Sequence, residues 1–348
     1  MKTEGKQVVG VDIAKNVFQV YTIDKGTGEV FNKQIKRAKF LEWFANRAPC
    51  LIGMEACGGS QHWARQLQEM GHEVKLMGGK MVKAFVCGNK NDAADAYAIY
   101  LAVQQPGVKA VAVKTEGQQA ILALHRIRES LVKARTATIN ALRGLLAEYG
   151  EVFGKGRKSF DEGMKEALER LAERLPALVI DALRAQWNEV ARLDERQAEI
   201  ERSLQVWMRQ DPAAKAIADI PGVGLITATA AVATMGDPKA FRSGREFAAY
   251  IGLIPGQTGS GGKVKLLGMS KRGDTYLRKM VIHGARSVIE RAKSPSPWVE
   301  QISQRRPKNV VIVALANKIA RTIWAVLAHE RKYDREYVSS MPQAAASM

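Results

Sequence analysis

Val8-Val9-Gly10-Val11-Asp12-Ile13 decides how the first third of the chain is read. Val8, Val9, Val11 and Ile13 are apolar and β-branched, the composition of a strand, and Asp12 follows its apolar run with a carboxylate. Working outward, Val17 to Ile23 and Val30 to Ile35 are two further short strands. Turn signals separate them at Lys15-Asn16 and at Lys25-Gly26-Thr27-Gly28. A helix is expected from about Ala38 to Asn46, then a strand from Cys50 to Met54 that ends on Glu55. A helix (Gln61 to Met70), a strand (Glu73 to Met77) and helices around Met81 and over Asp92 to Val103 follow.

Three antiparallel strands followed by αβαβα is the order of a ribonuclease-H-like α/β domain. In that fold the first strand, the fourth strand and the last helix converge, and these are the three places that carry Asp12, Glu55 and the Asp92/Asp95 pair. Asp92 and Asp95 are three residues apart and share a helix face. Carboxylates gathered in this way repel one another unless a divalent cation neutralises them, and hard oxygen ligands suit Mg²⁺ or Mn²⁺.

The chain has 348 residues, 53 Lys and Arg against 35 Asp and Glu, and a net charge of +18. Such a balance attracts phosphate backbones, so the polyanion expected at the acids is nucleic acid. A membrane partner is not expected. Met1 to Gln7 is polar and lacks a signal-peptide core. Val310 to Leu327 is apolar but contains Asn317, Lys318 and Arg321, which reads as a buried amphipathic helix. Cys50, Cys57 and Cys87 have neither zinc-ligand spacing nor a secretory context, and the five histidines show no metal-binding pair. A cytoplasmic location is expected.

Glu116 to Tyr149 reads as one long helix with Leu124, Ile127, Leu131, Leu142 and Leu145 on its dry face. His125, Arg126, Arg128, Lys133, Arg135 and Arg143 dominate the rest, either as a solvated face or as a helix that tracks phosphates. Gly150 to Lys158 is a linker by composition. Phe160 to Gln210 is helical with a break near Pro176, and Leu183, Val190, Gln197 and Leu204 recur every seven residues beside Leu193, Ile200 and Trp207. That is a coiled-coil seam, intramolecular or between protomers. Ile220-Pro221-Gly222-Val223-Gly224 between helical patterns is either a plain turn or a helix-hairpin-helix turn. In the latter, Gly222 and Gly224 let backbone N–H groups approach a phosphate.

Gly256-Gln257-Thr258-Gly259-Ser260-Gly261-Gly262-Lys263 reads as a glycine-rich loop but lacks the spacing of a nucleotide-binding P-loop. Gln257 stands where the first glycine is needed, and Val264 follows Lys263. Ser260, with Lys263 and Lys265 nearby, offers a hydroxyl that could attack a phosphodiester while the cations stabilise the charge that develops. Ser270 is the competing hydroxyl, read as the cap of a basic helix that carries Arg278, Lys279, Arg286 and Arg291.

Taken in order, the motifs Gly10-Val11-Asp12-Ile13-Ala14-Lys15, Met54-Glu55-Ala56, Asn89-Lys90-Asn91-Asp92-Ala93-Ala94-Asp95-Ala96, Ile220 to Gly224, Ala249 to Pro255 and Met269-Ser270-Lys271-Arg272-Gly273 resemble the insertion-sequence 110 family of transposases. Ser260-Gly261-Gly262-Lys263 looks most like its 1111 branch. The resemblance covers nearly the whole chain. It implies a RuvC-like catalytic domain over 1–115, a basic helix, linker and coiled coil over 116–210, and a mainly helical transposase domain over 211–348. It implies that Asp12, Glu55, Asp92 and Asp95 hold Mg²⁺, with Mn²⁺ possible, and that Ser260 becomes joined to DNA. Donor and target DNA, a non-coding guide RNA and a homo-oligomer, dimer or tetramer, are the implied partners. Arg126, Arg128, Lys133, Arg135, Arg143, Gly222, Gly224, Lys263, Lys265, Lys271, Arg272 and Arg278 are the expected nucleic-acid contacts. The competing readings are a nuclease or junction resolvase of the same fold that uses water, a non-enzymatic nucleic-acid scaffold, and a sugar-kinase-like phosphotransferase. The scaffold leaves the four acids unexplained, and the phosphotransferase lacks phosphate-binding loops.

Overall fold

The structure is a computed structural model and describes residues 6–88, 91–292 and 296–334. Asn89 and Lys90 of the acid-bearing motif lie outside them. Two compact units divide the chain. One takes in the residues up to Gly117 together with Met235–Ala240; the other holds Gln118–Thr234 and the residues from Phe241 on.

The first unit is a mixed sheet with helices on both faces. Its strands are β1 (Val8–Ile13), β2 (Val17–Ile23), β3 (Val30–Lys36), β4 (Leu51–Glu55), β5 (Glu73–Met77) and β6 (Ala110–Val111). Its helices are α1 (Phe40–Ala45), α2 (Ser60–Glu69), α3 (Gly79–Val82) and α4 (Asp92–Val103). The strand order is β3-β2-β1-β4-β5-β6. β1 pairs antiparallel with β2 and parallel with β4, and β4 pairs parallel with β5. That is the ribonuclease-H-like order, extended by β6, whose two residues are too few to show a strand pattern in sequence.

Alternation along the strands sends Val9, Val11, Phe18 and Val20 to one face, where they pack against Phe40, Phe44, Trp63 and Leu67 of α1 and α2. Phe18 meets Phe40 and Trp63 edge-on at 4.6 and 5.1 Å. On the opposite face, Leu51 and Met77 pack with Ala98, Ile99, Ala102 and Val103 of α4. The sheet is thus closed on both sides at its centre, and α4 is the element that covers β1 and β4.

The second unit is mainly helical: α5 (Glu116–Ala147), α6 (Arg157–Ala172), α7 (Ala177–Gln210), α8 (Pro212–Ala218), α9 (Leu225–Met235), α10 (Gly244–Tyr250), a hairpin of β7 (Pro255–Ser260) and β8 (Lys263–Met269), α11 (Thr275–Arg291), α12 (Pro297–Ser303) and α13 (Lys308–Ala328). The expected linker is shorter than its composition indicates. Helix α6 begins at Arg157, and Arg143 holds the connection by donating to the carbonyls of Phe153, Gly154 and Gly156 at 2.8–3.3 Å.

The heptad seam of α7 packs within this chain. Leu183 and Val190 join Leu142, Leu146 and Phe160 in one core, and Leu204 joins Ile121 and Ala233 in another. Ion pairs Arg128–Glu201 (2.7 Å) and Arg135–Asp194 (2.5 Å) show that α5 and α7 run antiparallel. The dry face of α5 is in part the one expected: Leu131 and Leu142 are buried and Leu124 packs on the Ile121 cluster, but Ile127 and Leu145 are exposed, and Ile121, His125 and Leu146 are buried in addition.

Helix α13 is the one helix among the described residues long and apolar enough to cross a membrane. Eight of its side chains, from Val311 to Val326, are buried inside this unit, and Asn317 donates to the Leu253 carbonyl at 3.2 Å. It is a core helix, as its interrupting polar residues predict.

His125 is 1% exposed. Its Nε2 lies 3.0 Å from Thr229 Oγ1, which itself donates to the Leu225 carbonyl at 2.7 Å, so Nε2 carries the proton. Nδ1 then accepts from the Tyr276 hydroxyl at 3.0 Å. Burial and the nearby Arg128 guanidinium push the imidazole pKa down to about 4. A histidine depressed in the folded state contributes stability above its ordinary value of 6.5 and loses it as pH falls from 6.5 towards 4. The full loss is about 3 kcal/mol. Nitrogen-15 NMR of His125 should therefore show a neutral imidazole at pH 5. Titration near the ordinary value would contradict the buried network.

Candidate active site

Parallel pairing of β1 and β4, with Val11 opposite Met54, puts Asp12 and Glu55 side by side at the carboxyl ends of the two central strands. Helix α4 delivers the other two acids. Its N-cap is Asn91, in extended conformation, whose side-chain oxygen accepts from Ala94 N at 2.8 Å. Asp92 and Asp95 then fall in the first turn, where the helix dipole favours negative charge. Gly10 sets how deep α4 sits: a Cβ there would lie 2.8 Å from the Tyr100 Cβ and against the Ala96 carbonyl. Only glycine lets the helix backbone lie on the strand.

The electrostatic consequence is visible at Asp12. Its pKa is pushed up to about 6, first by burial and then by Asp95, Asp92 and Glu55 in turn, against a lowering hydrogen bond from the Ile13 backbone. Among the described residues the side-chain charges that shift it are Asp95, Asp92 and Glu55, all negative. The neighbouring Cys57 thiol is also pushed up, by burial and by Glu55 and Asp12.

The four donors are hard carboxylate oxygens, the chemistry of a Mg²⁺ or Mn²⁺ site and not of a zinc or copper one. As they stand, no group of three or more His, Cys, Asp or Glu among the described residues is drawn close enough to hold a metal ion. The donor set fits a divalent cation in kind, and Glu55, Asp92 and Asp95 lie near enough to act on the charge of Asp12.

The expected nucleic-acid contacts divide sharply. On α5, Arg128 pairs with Glu201, Arg135 with Asp194, and Arg143 holds the α5–α6 connection, so these three cations are occupied inside the bundle. Arg126 and Lys133 remain exposed. Arg278 is 7% exposed and donates to the carbonyls of Ile251 (3.0 Å) and Arg272 (2.7 Å) and to Thr275 Oγ1 (3.0 Å), so it is a structural residue and not a surface cation. Gly222 has a positive φ of 86° and faces Gly284 of α11, where a Cβ would lie 2.9 Å from the Gly284 carbonyl carbon. Its small size serves helix packing. Gly224, at the foot of α9, is exposed, as are Lys263, Lys265, Lys271 and Arg272.

The glycine-rich segment is not an open loop. β7 and β8 form a hairpin closed by Gly261-Gly262, both with positive φ (56° and 78°), the two-residue turn that suits a strand pair. Ser260, the last residue of β7, stands opposite Lys263, and Thr258 stands opposite Lys265. Directly opposed residues share a face, so two hydroxyls and two ammonium groups line one side of the ribbon. Val264 and Leu266, both 67% exposed, line the other. Ser270 does not cap α11: the cap is Asp274, whose carboxylate accepts from Leu277 N at 2.7 Å. The Ser270 hydroxyl oxygen is buried and finds no hydrogen-bond partner among the described residues.

A ribonuclease-H-like sheet with two acids at the ends of its central strands and two more in the first turn of α4 is the arrangement of a nuclease domain. Comparisons with known proteins place it more closely. Residues 9–151 match the DEDD transposase model of the IS110 group, and residues 214–300 match the model described as "Transposase IS116/IS110/IS902 family". The chain is 43% identical over 330 residues to a "Probable family 20 transposase" of Pseudomonas aeruginosa, covering 93% of this chain and 98% of that one. It is 39% identical over 331 residues to the transposase for insertion sequence element IS1111A of Coxiella burnetii, covering 94% and 91%. With the IS1328 transposase of Yersinia enterocolitica it shares 36% over 328 residues, covering 92% and 96%. The chain belongs to the IS110 family of transposases, DNA-cleaving enzymes with a DEDD nuclease domain.

Because the folded-state pKa of Asp12 lies above its ordinary 3.8, its charged form penalises the fold above about pH 6. The penalty fades as pH falls and the carboxyl takes up a proton. In metal-free buffer at pH 7, Asp12→Asn should therefore stabilise the protein by about 1 kcal/mol, after discounting for partial exposure. The expected rise in melting temperature is about 2–4 °C. Mg²⁺ should then raise the melting temperature of the unsubstituted protein more than that of the variant. A lower metal-free melting temperature for Asp12→Asn would contradict the like-charge account.

Proposed function

We propose that this transposase cleaves and rejoins DNA strands through a covalent serine intermediate, with Asp12, Glu55, Asp92 and Asp95 holding Mg²⁺ or Mn²⁺. The observation that carries it is the gathering of the four acids at the ends of β1 and β4 and the start of α4. When bound, the metal supplies Lewis-acid stabilisation of phosphoryl oxygen charge. Asp12 and Glu55 orient from rigid strands, and Asp92 and Asp95 from a capped helix turn, so the acids are positioned before substrate arrives.

Ser260 is the nucleophile in this account. Its Oγ–P bond forms as one P–O ester bond of the DNA breaks. The serine proton passes to solvent, and the departing sugar oxygen takes one up. Attack by a DNA hydroxyl on the Ser260–phosphate ester reverses the step and rejoins strands without an external energy source. Lys263, opposite Ser260, and Lys265 supply positive charge beside the reacting phosphate. The hairpin favours the role because it presents the hydroxyl on an exposed, cationic face.

Three regions divide the work: a RuvC-like catalytic domain over 1–115, a helical coiled-coil middle over 116–210, and a transposase domain with the nucleophile over 211–348. The partners are donor and target DNA, a non-coding guide RNA and further copies of the chain, as a dimer or tetramer, in the cytoplasm. The chain's resemblance to the 1111 branch supports these assignments. Arg126, Lys133, Lys263, Lys265, Lys271 and Arg272 are the contacts retained for nucleic acid.

Ser260→Ala should abolish a protein–DNA adduct, resolved on a denaturing gel after incubation with substrate and Mg²⁺, and leave DNA affinity unchanged. An adduct that persists in Ser260→Ala removes the serine from the mechanism. Cleavage without any adduct in the unsubstituted protein would instead favour a nuclease that uses water.

A further inference from the structure

The face of the sheet that carries Asp12 is only partly covered by α4. Register places Gln19 opposite Asp12 and Gln34 opposite Gln19, a row that runs outward from the acid across β2 to the edge strand β3. The next row is Gly10, Tyr21 and Asn32, and Lys36 lies opposite Val17 beyond Gln34. Rows are about 7 Å apart along a strand and strands about 4.8 Å apart. Tyr21 therefore sits roughly 8 Å from Asp12, close to the spacing of one nucleotide.

Helix α4 ends its cover with two rings on Tyr21: Tyr97 at 4.9 Å and Tyr100 at 5.0 Å between centroids. Tyr21 is 8% exposed, but Tyr97, the outer ring, is 38% exposed. Gln19 is 7% exposed, and its amide donates to Asn32 Oδ1 at 2.6 Å, so the two amides are locked in one orientation. Asn32, Gln34 and Lys36 are exposed. The row ends at Lys36; Arg37 turns to the opposite face, its guanidinium 5.0 Å from the Trp63 ring and 5.7 Å from that of Phe18.

This ledge is an aromatic ring, a set of amides and a cation in sequence, beside four acids and with no acid of its own. An aromatic ring suits the face of a base, amides suit base edges, and Lys36 suits phosphate. A base held in a duplex is stacked on both sides and has no free face for Tyr97, so the ligand is unpaired. We propose that the ledge binds a single DNA strand on one side of the phosphate at the acids: Tyr97 stacks on an unpaired base, Asn32, held by Gln19, and Gln34 meet its edge or its neighbour's, and Lys36 holds the next phosphate. The inference rests on the assignment of DNA cleavage to the four acids, and it makes Tyr97 a positioning residue for that reaction.

The test uses the full chain with a single-stranded oligodeoxynucleotide carrying 5-iododeoxyuridine, in Ca²⁺ to limit cleavage. On irradiation, the cross-linked peptide should map to Tyr97. Tyr97→Ala should weaken binding of the strand by about fivefold to a hundredfold, the loss of one base–aromatic stack, whereas Tyr97→Phe should restore it. Lys36→Ala should lower the slope of log affinity against log salt by about 0.7. Should Tyr97→Ala fail to fold, the cross-link map and Lys36→Ala decide alone. Cross-links confined to other residues, or a folded Tyr97→Ala that binds as tightly as the unsubstituted chain, would overturn the proposal. So would a larger effect on a matched RNA strand than on DNA. Asp12→Asn, scored by cleavage in Mg²⁺, tests the acids separately, because the ledge is scored by binding and cross-linking.

Discussion

The contact of α4 with Gly10 is the constraint on which the site depends. With any larger residue the helix would have to lift off β1, and Asp92 and Asp95 would leave the neighbourhood of Asp12. The fold thus holds four like charges together by packing: Leu51, Met77, Ile99 and Val103 close the interface on the same helix that carries two of the acids. The elevated Asp12 shows that this gathering opposes the charges it collects. A site built this way is poised for a multivalent cation, which relieves the repulsion that the apolar contacts impose.

A net charge of +18 does not translate directly into a binding surface. Arg128, Arg135, Arg143 and Arg278 are structural: the first two join α5 to α7 through carboxylates, Arg143 holds the adjoining α5–α6 connection, and Arg278 bonds carbonyls of the preceding segments. Guanidinium groups suit this role because their forked donors satisfy several acceptors at once. The charge that faces solvent lies on other residues, among them Arg126, Lys133, Lys265 and Arg272. For this reason a basic helix such as α5 behaves partly as a strut, although its composition alone resembles that of a phosphate-tracking surface.

The first unit was legible in sequence because its signals are local. β-branched runs, turn residues at Lys15-Asn16 and Lys25 to Gly28, and the acids at strand ends each declare themselves within a few residues. That Glu55, Asp92 and Asp95 lie near enough to act on Asp12 was to be expected from strand order. Long-range pairing was not legible. The partners of Arg128 and Arg135 lie 73 and 59 residues away, so nothing nearby marks those arginines as occupied. His125 looked like part of a polar face because Thr229 and Tyr276, which bury it, come from two other helices. The β7–β8 hairpin hid behind its glycines, which suggest a loop by composition, although Gly261-Gly262 is a strand-pair turn by conformation. The ledge beside the acids was missed for a similar reason: Gln19, Gln34 and Tyr97 become neighbours only through register and helix placement.

The most direct test of the central claim, that four acids form one divalent-metal site, is anomalous diffraction from crystals grown with Mn²⁺. The account predicts a single strong peak at the carboxyl ends of β1 and β4, coordinated by Asp12 and at least two of Glu55, Asp92 and Asp95. Mn²⁺ bound only at other residues, with these carboxylates still apart at saturating ion, would contradict it.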